Sequence, residues 1–220
     1  METNQRYVPA LGWGFLTPLY DRVLRITMRD PEFKQVFLEQ VGVVNGERVL
    51  DLGCGTGTLT ALIAQQVGPS GLVYGVDMDV AMLDRAKTRI DEGSTVKCVF
   101  ERGNATSIPL PDQSVDRVIS SLLFHHLSPE QKRAALSESS RVLKEGGTLH
   151  IVDWGVSSNL RCRLGFYLVQ ILDGFNTTTD NVEGRMPDLI ADASFQDIDV
   201  RPCLDVFLGS LQCFHARRSA

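Results

Sequence analysis

The run Val49-Leu-Asp-Leu-Gly-Cys-Gly-Thr-Gly57 sets a carboxylate, Asp51, near the end of an apolar stretch and follows it with glycines at 53, 55 and 57. Glycines at that spacing let a backbone turn tightly and let a ligand approach without interference from a Cβ. A dinucleotide fingerprint, G-x-G-x-x-G, would need glycine at position 58, which is Thr58. No Gly-Lys-Ser/Thr follows, so a P-loop is excluded. Asp77 comes 26 residues after Asp51, at the end of the next apolar run. A carboxylate there can accept two hydrogen bonds from the vicinal hydroxyls of a ribose. Loop and carboxylate together suit a nucleoside that carries no pyrophosphate. Asp51 either touches that ligand or orients the loop backbone, and Cys54 reads as a small apolar filler inside it.

His125 and His126 follow the fourth apolar run. A histidine there could take a proton from an acceptor near pH 7, and only one of an adjacent pair can readily face a site. The competing reading is a packing or positional role. The five cysteines (Cys54, Cys98, Cys162, Cys203, Cys213) are odd in number and form no C-x-x-C pair. That argues for a reducing compartment, with neither a disulfide framework nor a zinc site, and no metal is expected.

These residues need a scaffold, and the spacing supplies one. Strands are predicted over 48–52, 72–77, 96–101, 115–120 and 148–153. Helices alternate with them. One carries Leu59, Leu62, Ile63 and Val67 and stops at Gly68; the next carries Met82, Leu83, Ala86 and Ile90 behind an Asp79 cap. Ser128-Pro-Glu-Gln131 fits a capping box opening a helix to about Leu143, with Gly146-Gly147 as its stop. Alternation of this kind implies a parallel sheet covered on both faces. Downstream, 164–172 and 182–193 read as helices, and 195–200 and 206–216 as antiparallel edge strands with turn signals at Pro202 and Gly209. Asp30-Pro31 can start a helix running to Gly42, behind an aromatic arm that contains Trp13, Phe15 and Tyr20.

Composition bounds the partners. At 43% hydrophobic and 22% charged, the chain is that of a globular protein, and a net charge of −5 disfavours nucleic acid. The start of the chain lacks a signal-peptide layout, and the apolar stretch 164–175 is too short to span a bilayer. A cytoplasmic protein is expected. The apolar surplus of the arm and of 164–175 reads as core, or as a greasy lid over a pocket for a lipophilic acceptor with peripheral membrane contact.

Five motifs in order carry a resemblance: VLDLGCGTG, GVDMD, Gly103-Asn-Ala-Thr-Ser-Ile-Pro-Leu-Pro-Asp112 with Ser114-Val-Asp-Arg-Val118, His125-His126-Leu127, and Arg141-Val-Leu-Lys-Glu-Gly-Gly147. Over about residues 45–155 the chain resembles the class I S-adenosylmethionine-dependent methyltransferases, nearest the branch of the ubiquinone/menaquinone-biosynthesis C-methyltransferases. The resemblance implies a doubly wound α/β sheet of seven strands, mostly parallel with a C-terminal antiparallel pair. It implies one domain over 1–220, with an N-terminal helical lid (1–45), a cofactor core (46–155) and a closing region of helices and paired strands (156–220).

It further implies S-adenosylmethionine as cofactor and S-adenosylhomocysteine as product. Asp51, Gly53, Cys54, Gly55 and Gly57 would line the methionine half, Asp77 would hold the ribose and Met78 would cover the adenine. Asn104, with Ala105 beside it, stands where the family usually has Asp, so its amide oxygen would accept from the adenine amino group without charge assistance. Ser120 or Ser121 would border the methionine portion, Tyr20 would close over the cofactor, and His125 is the candidate base. The acceptor is expected to be small and lipophilic; the alternatives are a phospholipid or amine acceptor, a non-methylating enzyme on the same cofactor, or a regulatory subunit. Cys162 and Cys213 as soft ligands for an arsenic acceptor make a weaker reading.

Overall fold

A computed structural model describes residues 30–91 and 96–219. Helix α1 (Asp30–Val41) leads into β1 (Arg48–Leu52), α2 (Thr58–Val67), β2 (Leu72–Asp77), α3 (Val80–Asp91) and β3 (Lys97–Arg102). Strand β4 (Val115–Ser121) ends in a single 3-10 turn, Phe124–His126. Then come α4 (Pro129–Val142), β5 (Leu143–Trp154), α5 (Leu160–Asp173), α6 (Phe175–Val182), α7 (Met186–Asp192), β6 (Phe195–Val206) and β7 (Gly209–Arg218). The seven strands form one sheet in the order β3-β2-β1-β4-β5-β7-β6. Strands β1 to β5 are mutually parallel, and β7 runs antiparallel to both β5 and β6.

Side-chain alternation along buried strands feeds two cores. Leu50, Leu52, Val118 and Ile151 point to the face covered by α4 and α7. Val49, Val73, Ile119 and Val152 point to the opposite face, where Phe33 and Phe37 of α1 and Ile63 of α2 cover them. The helices start and stop as their sequences dictate. The Ser128 side chain accepts from Gln131 N–H while the Gln131 side chain accepts from Ser128 N–H, completing the capping box of α4. Gly68 ends α2 at φ +63°.

Four elements depart from the sequence reading. Gly146-Gly147 does not stop a helix: α4 ends at Val142 and β5 begins at once, so the glycines fall in a stretch where the β4–β5 register shifts. The helix expected over 182–193 shortens to α7, and α6, which the sequence reading did not give, precedes it, with Gly184 at φ +73° between the two. Asn159 caps α5 by accepting from Cys162 N–H, starting it at Leu160 rather than 164. Pro202 lies inside β6, opposite Gln212, and the turn falls at Phe207-Leu208 instead. An edge strand tolerates a residue with no N–H to donate.

Candidate functional site

In parallel sheets of this kind ligands bind at the carboxyl ends of the strands. Here that edge gathers three aspartates, Asp51 on β1, Asp77 on β2 and Asp153 on β5, with the glycine loop and the turn after β4 between them. The loop is pinned to β2: Gly53 N–H and Cys54 N–H both donate to Val76 O, at 2.8 and 3.1 Å. Its three glycines adopt positive φ, but they serve different ends. A Cβ on Gly57 would lie 2.8 Å from Ala86 Cβ, so this glycine lets α2 and α3 approach. A Cβ on Gly53 would meet Leu123 at 3.0 Å. Gly55 alone of the three faces open space, with nothing within 4 Å of such a Cβ. A side chain at position 55 would stand in that open space.

Asp77 is fixed beside it. Its Oδ2 accepts from Gly55 N–H at 2.9 Å and its Oδ1 from Asp79 N–H at 2.9 Å. Each oxygen keeps acceptor capacity for one further donor. Burial pushes the carboxyl above its usual value, against the pull of the backbone N–H groups of Asp79, Gly55 and Met78. Met78 follows with its side chain 39% exposed. The loop after β3 is held by Asn104, whose Oδ1 accepts from Thr106 N–H at 3.0 Å and whose carbonyl accepts from Ser107 N–H at 2.9 Å. Ala105 is buried next to it.

Asp51 is buried under the loop and accepts from Thr60 Oγ1 at 2.6 Å. Burial pushes its carboxyl up to about 6, and the Thr60 hydrogen bond and the charge of Lys34 only partly offset this. Lys34 itself is buried on α1, 2.7 Å from Asp30 Oδ1, and it also hydrogen-bonds Thr58 Oγ1 at the start of α2. Cys54 is buried with its thiol pushed up by burial, which suits packing and not reactivity. Of the serine pair, Ser120 is fully buried with its hydroxyl donating to Leu52 O at 2.9 Å, which ties β4 to β1. Ser121 is partly exposed. Tyr20 lies outside the described residues, as do the rest of residues 1–29.

The turn after β4 departs from ordinary backbone. Leu122 sits at φ +54°, a region costly for a residue with a Cβ, and its N–H donates to Val152 O at 2.9 Å. The kink brings Leu123 against Gly53 and buries His125. His125 N–H donates to Asp153 Oδ2 at 3.2 Å, and its Nδ1 lies 2.7 Å from Asp153 Oδ1. Burial alone would raise the Asp153 carboxyl. The charge and hydrogen bond of His125, with Trp154 N–H donating at 2.7 Å, outweigh it and hold the carboxyl below its usual value. An ionised Asp153 accepts from Nδ1–H, which orients the His125 ring and leaves Nε2 as its other nitrogen. His126, the exposed member of the pair, stacks over His125 at 4.0 Å between ring centroids. Trp154 meets the ring of His125 edge-on at 6.3 Å and that of Phe166 on α5 at 5.2 Å.

Sequence reasoning missed Thr60, Asp153, Lys34 and the Leu122 kink. Asp153 carried a usable signal, since it ends a parallel strand as Asp51 and Asp77 do. Lys34 and the Leu122 kink are set by contacts between segments two dozen or more residues apart, and Thr60 by the packing of α2 on β1.

Comparison with known proteins agrees with this geometry. Residues 49–147 match the methyltransferase domain family. Over 170 residues the chain is 33% identical to a demethylmenaquinone methyltransferase of Symbiobacterium thermophilum, covering 76% of this chain and 66% of that protein. Over 108 residues it is 40% identical to an arsenite methyltransferase of Halobacterium salinarum, covering 49% of this chain and 27% of that one. A solved S-adenosylmethionine-dependent methyltransferase of Aquifex aeolicus has the same fold, with TM-score 0.69 and 23% identity over 91% of this chain and 96% of the other. The chain spans between about a quarter and two thirds of the length of the curated relatives it matches. The sheet order and the glycine loop are those of a class I methyltransferase fold. The chain is similar to the S-adenosylmethionine-dependent methyltransferases, with ubiquinone/menaquinone-biosynthesis C-methyltransferases among its relatives.

Proposed function

We propose that this protein binds S-adenosylmethionine in the open space at Gly55 and transfers its methyl group to a small lipophilic acceptor of the quinol or phenol kind, releasing S-adenosylhomocysteine. The observation that carries the reading is the Asp77 carboxylate, fixed by two backbone donors beside the one loop glycine that faces open space. The residues fit the cofactor. Asp77 offers two acceptor sites to the ribose hydroxyls, Met78 offers an exposed apolar side chain to the adenine face, and Asn104 holds the turn below it. Asp51 and Asp77 together present negative charge toward a cationic ligand. When bound, the cofactor supplies a methyl already activated on sulfur, so the protein's work is alignment and exclusion of water. His125, oriented by Asp153, accepts the proton of an acceptor that arrives protonated. The demethylmenaquinone methyltransferases among the relatives support a quinol-type acceptor.

Calorimetry with S-adenosylmethionine, then detection of S-adenosylhomocysteine with quinol, phospholipid, thiol and amine acceptors, tests the proposal. Cofactor binding with no such product from any of the four acceptors overturns the transfer reading. Product from a phospholipid or amine alone overturns the acceptor class. His125→Gln is expected to lower kcat while leaving cofactor affinity unchanged.

A further inference from the structure

Among the described residues, eight of the twelve exposed large hydrophobic side chains lie on or beside α5. The helix itself carries Leu160 (73% exposed), Leu164, Tyr167, Leu168 and Ile171 (68%), and Phe175 continues the line just past it. At about 100° per residue these α5 side chains fall within an arc of about 100°. The opposite arc, with Cys162, Phe166, Val169 and Gln170, is buried against the sheet. A helix apolar all round is ordinarily covered on both sides. Here, among the described residues, the outward side is exposed. The tip of the β6–β7 hairpin extends the surface: the backbone at Phe207 abuts Gly165, and the Phe207 side chain is 80% exposed.

The charges on this helix are arranged as an interface requires. Arg161 and Arg163 project at the two edges of the apolar arc, and no carboxylate occurs between residues 160 and 172 in a chain of net charge −5. Arg161 is exposed, and the guanidinium of Arg163 lies 5.0 Å from the Tyr167 ring. An exposed arginine at the edge of an apolar face, as Arg161 is, can bury its stem and keep its head at a phosphate layer, whereas Arg163 has its Nη1 buried. No described helix is long and apolar enough to cross a membrane, so such a face would lie along one. In a two-fold contact between copies the same two arginines would recur on both sides, with Asp173 at the last position of α5 as the helix's one carboxylate.

We propose that the outward face of α5, with Phe207, docks on an anionic lipid surface. The buried side of the same helix packs Phe166 on Trp154, which touches His125. Docking therefore sets the candidate acceptor side of the molecule next to a reservoir of lipophilic molecules. The surface itself does not depend on the methyl-transfer reading.

Sedimentation with vesicles, run without cofactor, separates the two ideas. The wild-type chain is expected to pellet with vesicles of phosphatidylcholine and phosphatidylglycerol, and at least about tenfold more weakly with phosphatidylcholine alone. The double variant Leu168→Glu, Ile171→Glu changes only exposed side chains, and it should lose binding by a similar factor while keeping its melting temperature and cofactor affinity. Arg161→Glu should lose the preference for anionic vesicles. The proposal is overturned if wild type stays in the supernatant at every composition, or if the double variant pellets like wild type. It is also overturned if light scattering shows a dimer that the double variant dissolves, or if a photo-crosslinker at position 168 captures residues 1–29 of the same chain.

Discussion

Replacing Asp51 with Asn separates the electrostatics of the glycine loop from its shape. Asp51 is 1% exposed, and burial pushes its carboxyl up to about 6. An aspartate titrates near 3.9 in an unfolded chain. The folded protein thus holds this proton more tightly than the unfolded one. The stabilisation is complete in acid and is lost as pH rises through about 6. Two units of displacement correspond to about 3 kcal/mol, of which about 1–2 kcal/mol is expressed between pH 5 and pH 7.5. Asparagine cannot titrate, and its oxygen can still accept from Thr60 Oγ1. The difference in unfolding free energy between variant and wild type should therefore shift by about 1–2 kcal/mol in the variant's favour across that interval, whatever constant cost the amide carries. Urea denaturation at the two pH values measures it. A cationic ligand favours the ionised carboxylate, so wild-type affinity for S-adenosylmethionine should strengthen from pH 5 to pH 7.5, and the variant's should change less. A stability difference that stays flat over the interval would refute the burial argument. Equal pH dependence of affinity in both proteins would refute the coupling to ligand.

Asp77→Ala should weaken cofactor binding by about 1.5–3 kcal/mol, the scale of hydrogen bonds to a charged group, and unchanged affinity in calorimetry would remove its ribose role. Gly57→Ala forces a Cβ into a left-handed position 2.8 Å from Ala86 Cβ and should cost at least about 1–3 kcal/mol in urea denaturation; wild-type stability would show that α2 and α3 have room to part. His150 and His215 meet at 2.7 Å between their Nδ1 atoms, beneath α1 and beside Arg117 and Gln40. Burial first, then neighbouring positive charge, holds both below the usual histidine value. Their contribution is present above pH 6.5 and is lost as pH falls, opposite in sign to that of Asp51, so His150→Gln should flatten the acid side of the stability profile; an unchanged acid limb argues against the pair.

The half of the site assigned to cofactor was legible because its demands are local. A tight turn needs glycine at 53, 55 and 57, and a strand-end carboxylate needs only the end of β2. Both requirements are met within thirty residues of chain and leave their mark in residue type. Elsewhere the same clues misled where tertiary pairing took over. Gly146-Gly147 reads as a helix stop, yet the pair falls inside β5, in the irregular stretch between Leu143 and Thr148 that β4 pairs on either side. Pro202 reads as a turn, yet an edge strand has no use for its missing N–H.

The half assigned to acceptor left a fainter mark: residue type singles out His125 and the apolar run 164–175, but not the contacts that hold them. His125 is held by Asp153, 28 residues away, and their meeting depends on the pairing of Ser121 with Val152 and on the kink at Leu122. Trp154 and Phe166 complete that side from β5 and α5, each of them unremarkable in its own segment. In this fold the cofactor loop is built from backbone conformation that only certain residues permit. An acceptor pocket has to fit one molecule, and any set of side chains with the right shape will do. The division between the two halves therefore follows from what each must recognise, and the acceptor is to be sought in the packing of α5 and the β4 turn, where sequence pattern is weakest.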